Sequence, residues 1–193
     1  MRDGRTRAGE LTYYSGLDDL SAASIEQKIR WFRGRFRKVV SRPLREVQRL
    51  GPRNQAIWDL NLGVVTIICS AIEALGSFYS PGVKDEKAFD AFVKAFMDPI
   101  YQLKSAGGET YAKILYGYFR CGLAHGLTIE GHEVATRPGK YITDDRGYVS
   151  IDLWSLFRDM ERARDRYIEE VETNRDTRAR FISRFDKLFV TPY

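Results

Sequence analysis

Residues 54–79, NQAIWDLNLGVVTIICSAIEALGSFY, form the longest apolar periodic stretch of the chain. Apolar side chains recur there every three or four positions, which is the spacing of one face of an α-helix. The segment Ser80-Pro81-Gly82 follows directly and is typical of a helix end. We therefore expect one long core helix, with a buried stripe formed by Ile57, Leu60, Val64, Ile67, Ile68, Ala71, Ile72 and Leu75.

Shorter amphipathic patterns flank this segment on both sides. They predict helices over 22–41, 84–103, 109–124, 152–171 and 181–189, with Pro43 breaking or restarting the first and Val39 on its buried face. The period changes to alternation near residues 127–151, which predicts a small antiparallel β-hairpin or a three-stranded insertion. The expected fold is mainly α, a bundle of four to six helices. Residues 1–20 are predicted to be a flexible lead-in, and residues 21–193 a single domain.

The net charge of +5 is unevenly distributed along the chain. Residues 1–53 hold 13 Lys and Arg against 6 Asp and Glu, whereas the remaining residues hold 18 against 20. A basic segment of this kind favours an anionic partner such as RNA, and a merely solvated basic helix is the alternative. The polar N-terminus and the interrupted apolar run of residues 60–75 predict a cytoplasmic protein with no membrane segment.

Basic and aromatic residues alternate over residues 30–38, RWFRGRFRK. Cations can bind a nucleic-acid backbone while rings stack on unpaired bases, so the candidate nucleic-acid contacts are Arg30, Arg33, Arg35, Arg37 and Lys38. The alternative is that Phe32 and Phe36 belong to the core, which leaves the arginines on a solvated face.

Catalytic triads, phosphate-binding loops and metal sites find little support in the sequence. The chain contains two histidines, His125 and His132, and two cysteines, Cys69 and Cys121. Structural zinc sites usually show a second closely spaced ligand pair, which is missing beside Cys121 and His125. We expect neither a metal nor a cofactor.

The segment 116–126, YGYFRCGLAHG, closes a predicted helix and carries the remaining candidate site. Glycine inside a helix costs about 1 kcal/mol relative to alanine, so several small residues here indicate the close approach of another helix or of a ligand. Arg120 and His125 lie five residues apart, about 140° around a straight helix. They converge only if the helix ends or tightens, or if a second copy supplies its own pair. Alternatively, His125 interacts with the helix dipole and Arg120 forms an ordinary ion pair.

The same segment resembles the Arg-x4-6-His motif of the HEPN superfamily, whose members are helical bundles. Residues 72–76, IEALG, are similar to the glutamate-bearing helix found in some members. The resemblance implies a metal-independent endoribonuclease, often a homodimer, in toxin–antitoxin, defence or RNA-processing roles. Arg120 and His125 would be catalytic, with support from Glu73, Tyr116 and Cys121.

Two alternatives remain open at this stage. Many catalytic members have a polar residue directly after the arginine, where this chain has Cys121, which favours a non-catalytic HEPN-type module that binds a protein, an antitoxin or a nucleic acid. A helical scaffold unrelated to HEPN proteins, with a coincidental motif, is the other.

Overall fold

Six helices and a three-stranded sheet form the part of the chain that the computed structural model describes, residues 20–50, 60–122, 132–135 and 142–190. The helices are α1 (Ile25–Phe36, a π-helical turn Arg37–Ser41, and Arg42–Leu50), α2 (Asn61–Tyr79), α3 (Asp85–Phe96), α4 (Tyr111–Ile114 and the π-helical Leu115–Gly122), α5 (Leu153–Thr173) and α6 (Arg175–Phe189). A 3-10 turn, Pro99–Gln102, precedes α4, and the strands are β1 (His132–Ala135), β2 (Ile142–Asp145) and β3 (Tyr148–Asp152). The predicted mainly α fold with a small sheet is confirmed.

Helix α1 begins at a capping box and continues past a proline. The Ser24 hydroxyl accepts a hydrogen bond from the Gln27 backbone N–H, and the Gln27 side chain accepts one from the Ser24 N–H. Pro43 lacks an N–H and crowds the carbonyl of Val39, so a regular α-helix cannot run through it without loss. The π-helical turn ends at Ser41, two residues before Pro43, and changes which side chains face the core. The prediction that Val39 is buried is therefore wrong, since its side chain is 51% exposed.

Helix α2 is the core helix that the sequence predicts, although its buried face is narrower than expected. Leu60 and Ile67 were expected in the stripe but are exposed, because α3, α4, α5 and α6 all pack on other sides of the helix. Ile57 lies outside the described residues. The buried positions are Val64, Val65, Ile68, Cys69, Ala71, Ile72, Leu75, Gly76 and Phe78.

Helices α2 and α3 meet at a contact that only glycine permits. A Cβ atom added at Gly76 would lie 2.5 Å from the backbone oxygen of Ala88. The turn between the two helices contains Gly82, whose φ of +82° favours glycine. The two glycines thus bring the C-terminal half of α2 directly onto the first turns of α3.

Helix α2 is also long and apolar enough to cross a membrane, judged by length and composition alone. Half of its most apolar window is buried inside the protein. The core helix of a folded domain has these same properties, so this observation is weak evidence for a membrane span.

The sheet is mixed, with strand order β1-β3-β2. Strand β2 pairs with β3 in antiparallel fashion, as expected for a hairpin, with Ile142 opposite Ile151. Strand β1 pairs with β3 in parallel, with Val134 opposite Ile151, so this pair differs from the antiparallel arrangement that we predicted. Asp152 ends β3 and accepts a hydrogen bond from the Ser155 N–H, which caps α5.

Aromatic side chains fill the core between α1, α2 and α6. The ring centroids of Phe32 and Phe78 lie 4.8 Å apart, and those of Phe32 and Phe181 lie 5.4 Å apart. At the edge of this cluster, Lys28 pairs with Asp186 at 2.7 Å. The cluster therefore joins α1 to α6 across α2. Two of its rings, Phe32 and Phe78, line a cavity between these helices.

Candidate functional site

Arg120 lies on the π-helical half of α4, at the edge of the core. The Thr110 side chain caps the helix by accepting a hydrogen bond from the Lys113 N–H. Leu115 and Phe119 are fully buried and anchor the helix against its neighbours. A π-helical segment has a wider turn than an α-helix, and such segments are frequent at functional sites. The anchored π-helical segment holds Arg120, the next residue after Phe119, at the boundary between core and solvent.

Arg120 forms a two-point ion pair with Glu73 of α2. Its Nε donates to one carboxylate oxygen at 2.5 Å and its Nη2 donates to the other at 3.2 Å. The side chains are 25% and 16% exposed, respectively. Hydrogen bonding to Glu73 raises the pKa of Arg120, and burial opposes that rise. The structure thus brings together two of the residues singled out in the sequence, and three of the five N–H donors of the guanidinium remain for other acceptors.

Tyr116 and Cys121 lie beside this pair. The Tyr116 ring packs edge-on against Phe89 at 5.4 Å, and burial raises the pKa of its hydroxyl to about 12, with negative neighbours adding to the effect. Cys121 is half-buried, and its thiol makes a small contribution to the raised pKa of Arg120. Cys69 is fully buried below them, and burial raises the pKa of its thiol strongly. Cys121 is therefore the more accessible of the two thiols.

His125 lies outside the described residues. Its approach to Arg120, and the pairing of two α4 helices across a twofold axis, stay predictions.

The basic segment of α1 divides between solvent and core. Arg30, Arg33, Arg37 and Lys38 are exposed, and Arg33 forms an ion pair with Glu172 at 3.1 Å. Phe32 and Phe36 are buried, which agrees with the alternative that they belong to the core. The four exposed cations form one basic face that has no aromatic rings from Phe32 or Phe36 available for stacking.

Arg35 is the half-buried cation of the basic segment. Its guanidinium lies 5.2 Å from the Trp31 ring centroid and 5.5 Å from that of Phe189. It lines a cavity of about 470 Å³ that lies between α1, α2 and α6 and also reaches Glu73 and Arg120. The two candidate sites of the sequence therefore share one cavity.

Arg184 of α6 and Asp85 of α3 also line this cavity, and neither was predicted from the sequence. Arg184 belongs to an amphipathic helix in which nothing marks it from the other arginines, so no local pattern indicates its role. Within the described part of the chain, its Nε is buried and has no hydrogen-bond partner. An unsatisfied buried donor costs about 1–3 kcal/mol.

His132 occupies a separate position on β1. Its ring centroid lies 4.3 Å from that of Tyr118, and its Nδ1 accepts a hydrogen bond of 3.3 Å from the Val149 N–H. An accepting Nδ1 places the proton of the neutral ring on Nε2. Burial lowers the pKa of His132. His132 therefore supports the contact between the sheet and α4 in its neutral form.

Across residues 20–50, 60–122, 132–135 and 142–190, no group of three or more His, Cys, Asp and Glu side chains is arranged to hold a metal ion. Comparisons of the chain with protein-family models, characterised proteins and solved structures give no significant match. The functional argument consequently depends on the site itself.

Proposed function

We propose that this chain is a HEPN-like, metal-independent endoribonuclease of the cytoplasm, active as a homodimer in a defence, toxin–antitoxin or RNA-processing role. The observation that carries the proposal is the Arg120–Glu73 pair, a partly buried guanidinium held at two points by a carboxylate from another helix. A guanidinium that is oriented in this way loses little conformational freedom when it binds a phosphate, and it can still present N–H donors to it.

The proposed reaction needs a base and an anion clamp. A neutral His125 accepts the proton of an RNA 2′-hydroxyl as its oxygen attacks the adjacent phosphorus. The bond from phosphorus to the 5′-oxygen breaks, the leaving oxygen takes up a proton, and a 2′,3′-cyclic phosphate remains. Arg120 stabilises the negative charge that builds on the phosphorane oxygens, while Glu73 orients Arg120.

Incubation of the purified protein with single-stranded RNA in EDTA tests this proposal directly. We expect cleavage with 2′,3′-cyclic phosphate ends, and loss of at least about 100-fold in rate for His125→Ala, the usual size of a general-base contribution. The matched control is His132→Asn, which removes the other histidine, assayed at pH 7.5. No cleavage by the unaltered protein, or full cleavage by His125→Ala, would refute the proposal.

A second candidate is a non-catalytic HEPN-type module that binds nucleic acid or a partner protein, including an antitoxin. It is favoured by the ion pair of Arg120, which uses two of its N–H donors for Glu73. This candidate predicts RNA binding without cleavage. The affinity should fall as the salt concentration rises, because binding of the exposed α1 cations to phosphates releases counterions from the RNA.

A further inference from the structure

Among the described residues that line the cavity between α1, α2 and α6, the charges do not cancel. Three guanidinium groups, from Arg35, Arg120 and Arg184, line it together with two carboxylates, from Glu73 and Asp85. Glu73 is already committed to Arg120. The remaining imbalance is one positive charge in a partly enclosed space, where electrostatic attraction is stronger than in bulk water. One singly charged anion would balance it.

Aromatic side chains also line the cavity. Phe36 and Phe78 are buried in the wall, and Phe189 is half-buried beside the Arg35 guanidinium. A planar guanidinium next to an aromatic ring is a surface on which unpaired RNA bases stack. The volume of about 470 Å³ falls within the range of small-ligand sites, about 300–1,000 Å³. The cavity therefore suits a ligand that combines a flat ring with an anionic group.

We propose that this cavity binds one unpaired nucleotide of an RNA strand, with the base against Arg35 and Phe189 and the phosphodiester at Arg184 and Arg120. A phosphodiester carries a single negative charge, which matches the imbalance, and it supplies the acceptor that the buried Nε of Arg184 lacks within the described part of the chain. The proposal rests on the proposed function in one respect: it assumes that Arg120 faces RNA.

Binding can be measured separately from cleavage with a fluorescent 2′-O-methyl hexaribonucleotide, which has no free 2′-hydroxyl to attack. We expect Arg184→Met to weaken binding at least tenfold, which corresponds to about 1.4 kcal/mol. The control is Arg175→Met, the same change at an exposed position of the same helix. Equal affinities of the two variants would overturn the proposal.

A second pair of variants tests the space rather than the charge. Ala74→Phe adds a ring at the exposed, cavity-lining face of α2, and Ile67→Phe adds bulk at an exposed position of that helix outside the cavity. We expect the first to weaken binding and the second to leave it unchanged. A melting temperature measured for each variant shows that it is folded. Normal binding by a folded Ala74→Phe protein would refute the assignment.

Competition distinguishes a nucleotide site from a general anion site. A dinucleoside monophosphate should displace the labelled strand at concentrations at which inorganic phosphate does not. Equal displacement by the two would overturn the nucleotide assignment. If unmodified RNA is not cleaved but Arg184→Met still loses affinity for the 2′-O-methyl strand, the cavity proposal stands and the ribonuclease proposal fails. If cleavage occurs and Arg184→Met binds normally, the reverse holds.

Discussion

Replacing Glu73 with glutamine tests the central contact of the site. The substitution keeps the size of the side chain and one acceptor oxygen, and it removes the charge and the second acceptor for Arg120. Breaking a fully buried ion pair by removing one partner costs about 3–5 kcal/mol, whereas exposed pairs are worth about 0.2–1 kcal/mol. With side chains 16% and 25% exposed, the Glu73–Arg120 pair lies between these limits. We expect Glu73→Gln to lower the free energy of unfolding by about 1–2 kcal/mol.

Urea denaturation of the variant at pH 7 and moderate salt measures this loss. The matched control is Glu46→Gln, which breaks the surface pair with Arg49, whose side chains are 56% and 69% exposed, and should change stability by less than about 0.5 kcal/mol. A double-mutant cycle with Arg120→Met isolates the pair, and we expect a coupling energy near 1 kcal/mol. A Glu73→Gln loss no larger than that of the control, or a coupling energy near zero, would refute the reasoning.

Three further perturbations follow from the fold. Gly76→Ala should lower the free energy of unfolding by about 1–3 kcal/mol, because its Cβ would lie 2.5 Å from a backbone oxygen. The control is Gly63→Ala, which has open space around it. In the same denaturation assay it should leave stability unchanged or raise it by up to about 1 kcal/mol. A lower pKa of His132 in the folded state means that the unfolded chain binds more protons, so stability should be full above pH 6.5 and fall as the pH drops below it. His132→Asn should reduce that dependence in urea titrations between pH 7.5 and 5, and an unchanged slope would contradict the assignment. Native protein should react with a thiol reagent such as DTNB at Cys121 only, and urea should expose Cys69 as a second thiol; rapid labelling of both in the folded state would show that the packing around Cys69 is loose.

The helices and most of the core could be predicted from the sequence, because the period of apolar residues reports directly on helix faces. Val64, Ile68 and Ile72 are buried as the pattern predicts. Val39 is the informative failure: a π-helical turn shifts the phase of the helix, and no residue in residues 37–41 marks that turn. The apolar pattern also does not show whether another element packs on that side of the helix. The prediction that Ile67 is buried was wrong for this reason.

The site was less predictable than the fold, because the residues that form it lie far apart along the chain. The approach of Glu73 to Arg120 was expected from a family resemblance and not from spacing, since 47 residues separate them. Arg184 could not be singled out at all, because the cavity that it lines is formed by three helices. The parallel pairing of β1 with β3 is likewise non-local, since each strand carries an alternation that is compatible with either direction.

The π-helical geometry of residues 115–122 makes the position of Arg120 depend on how the backbone is wound. Each residue of an α-helix advances the direction of its side chain by about 100°. A π-helical turn contains more residues, so each of them advances that direction by less. If the same residues were rewound as ordinary α-helix, Arg120 would rotate relative to the buried Leu115, and its guanidinium would turn away from Glu73. The geometry of the site therefore depends on the number of residues in each helical turn as much as on their identity.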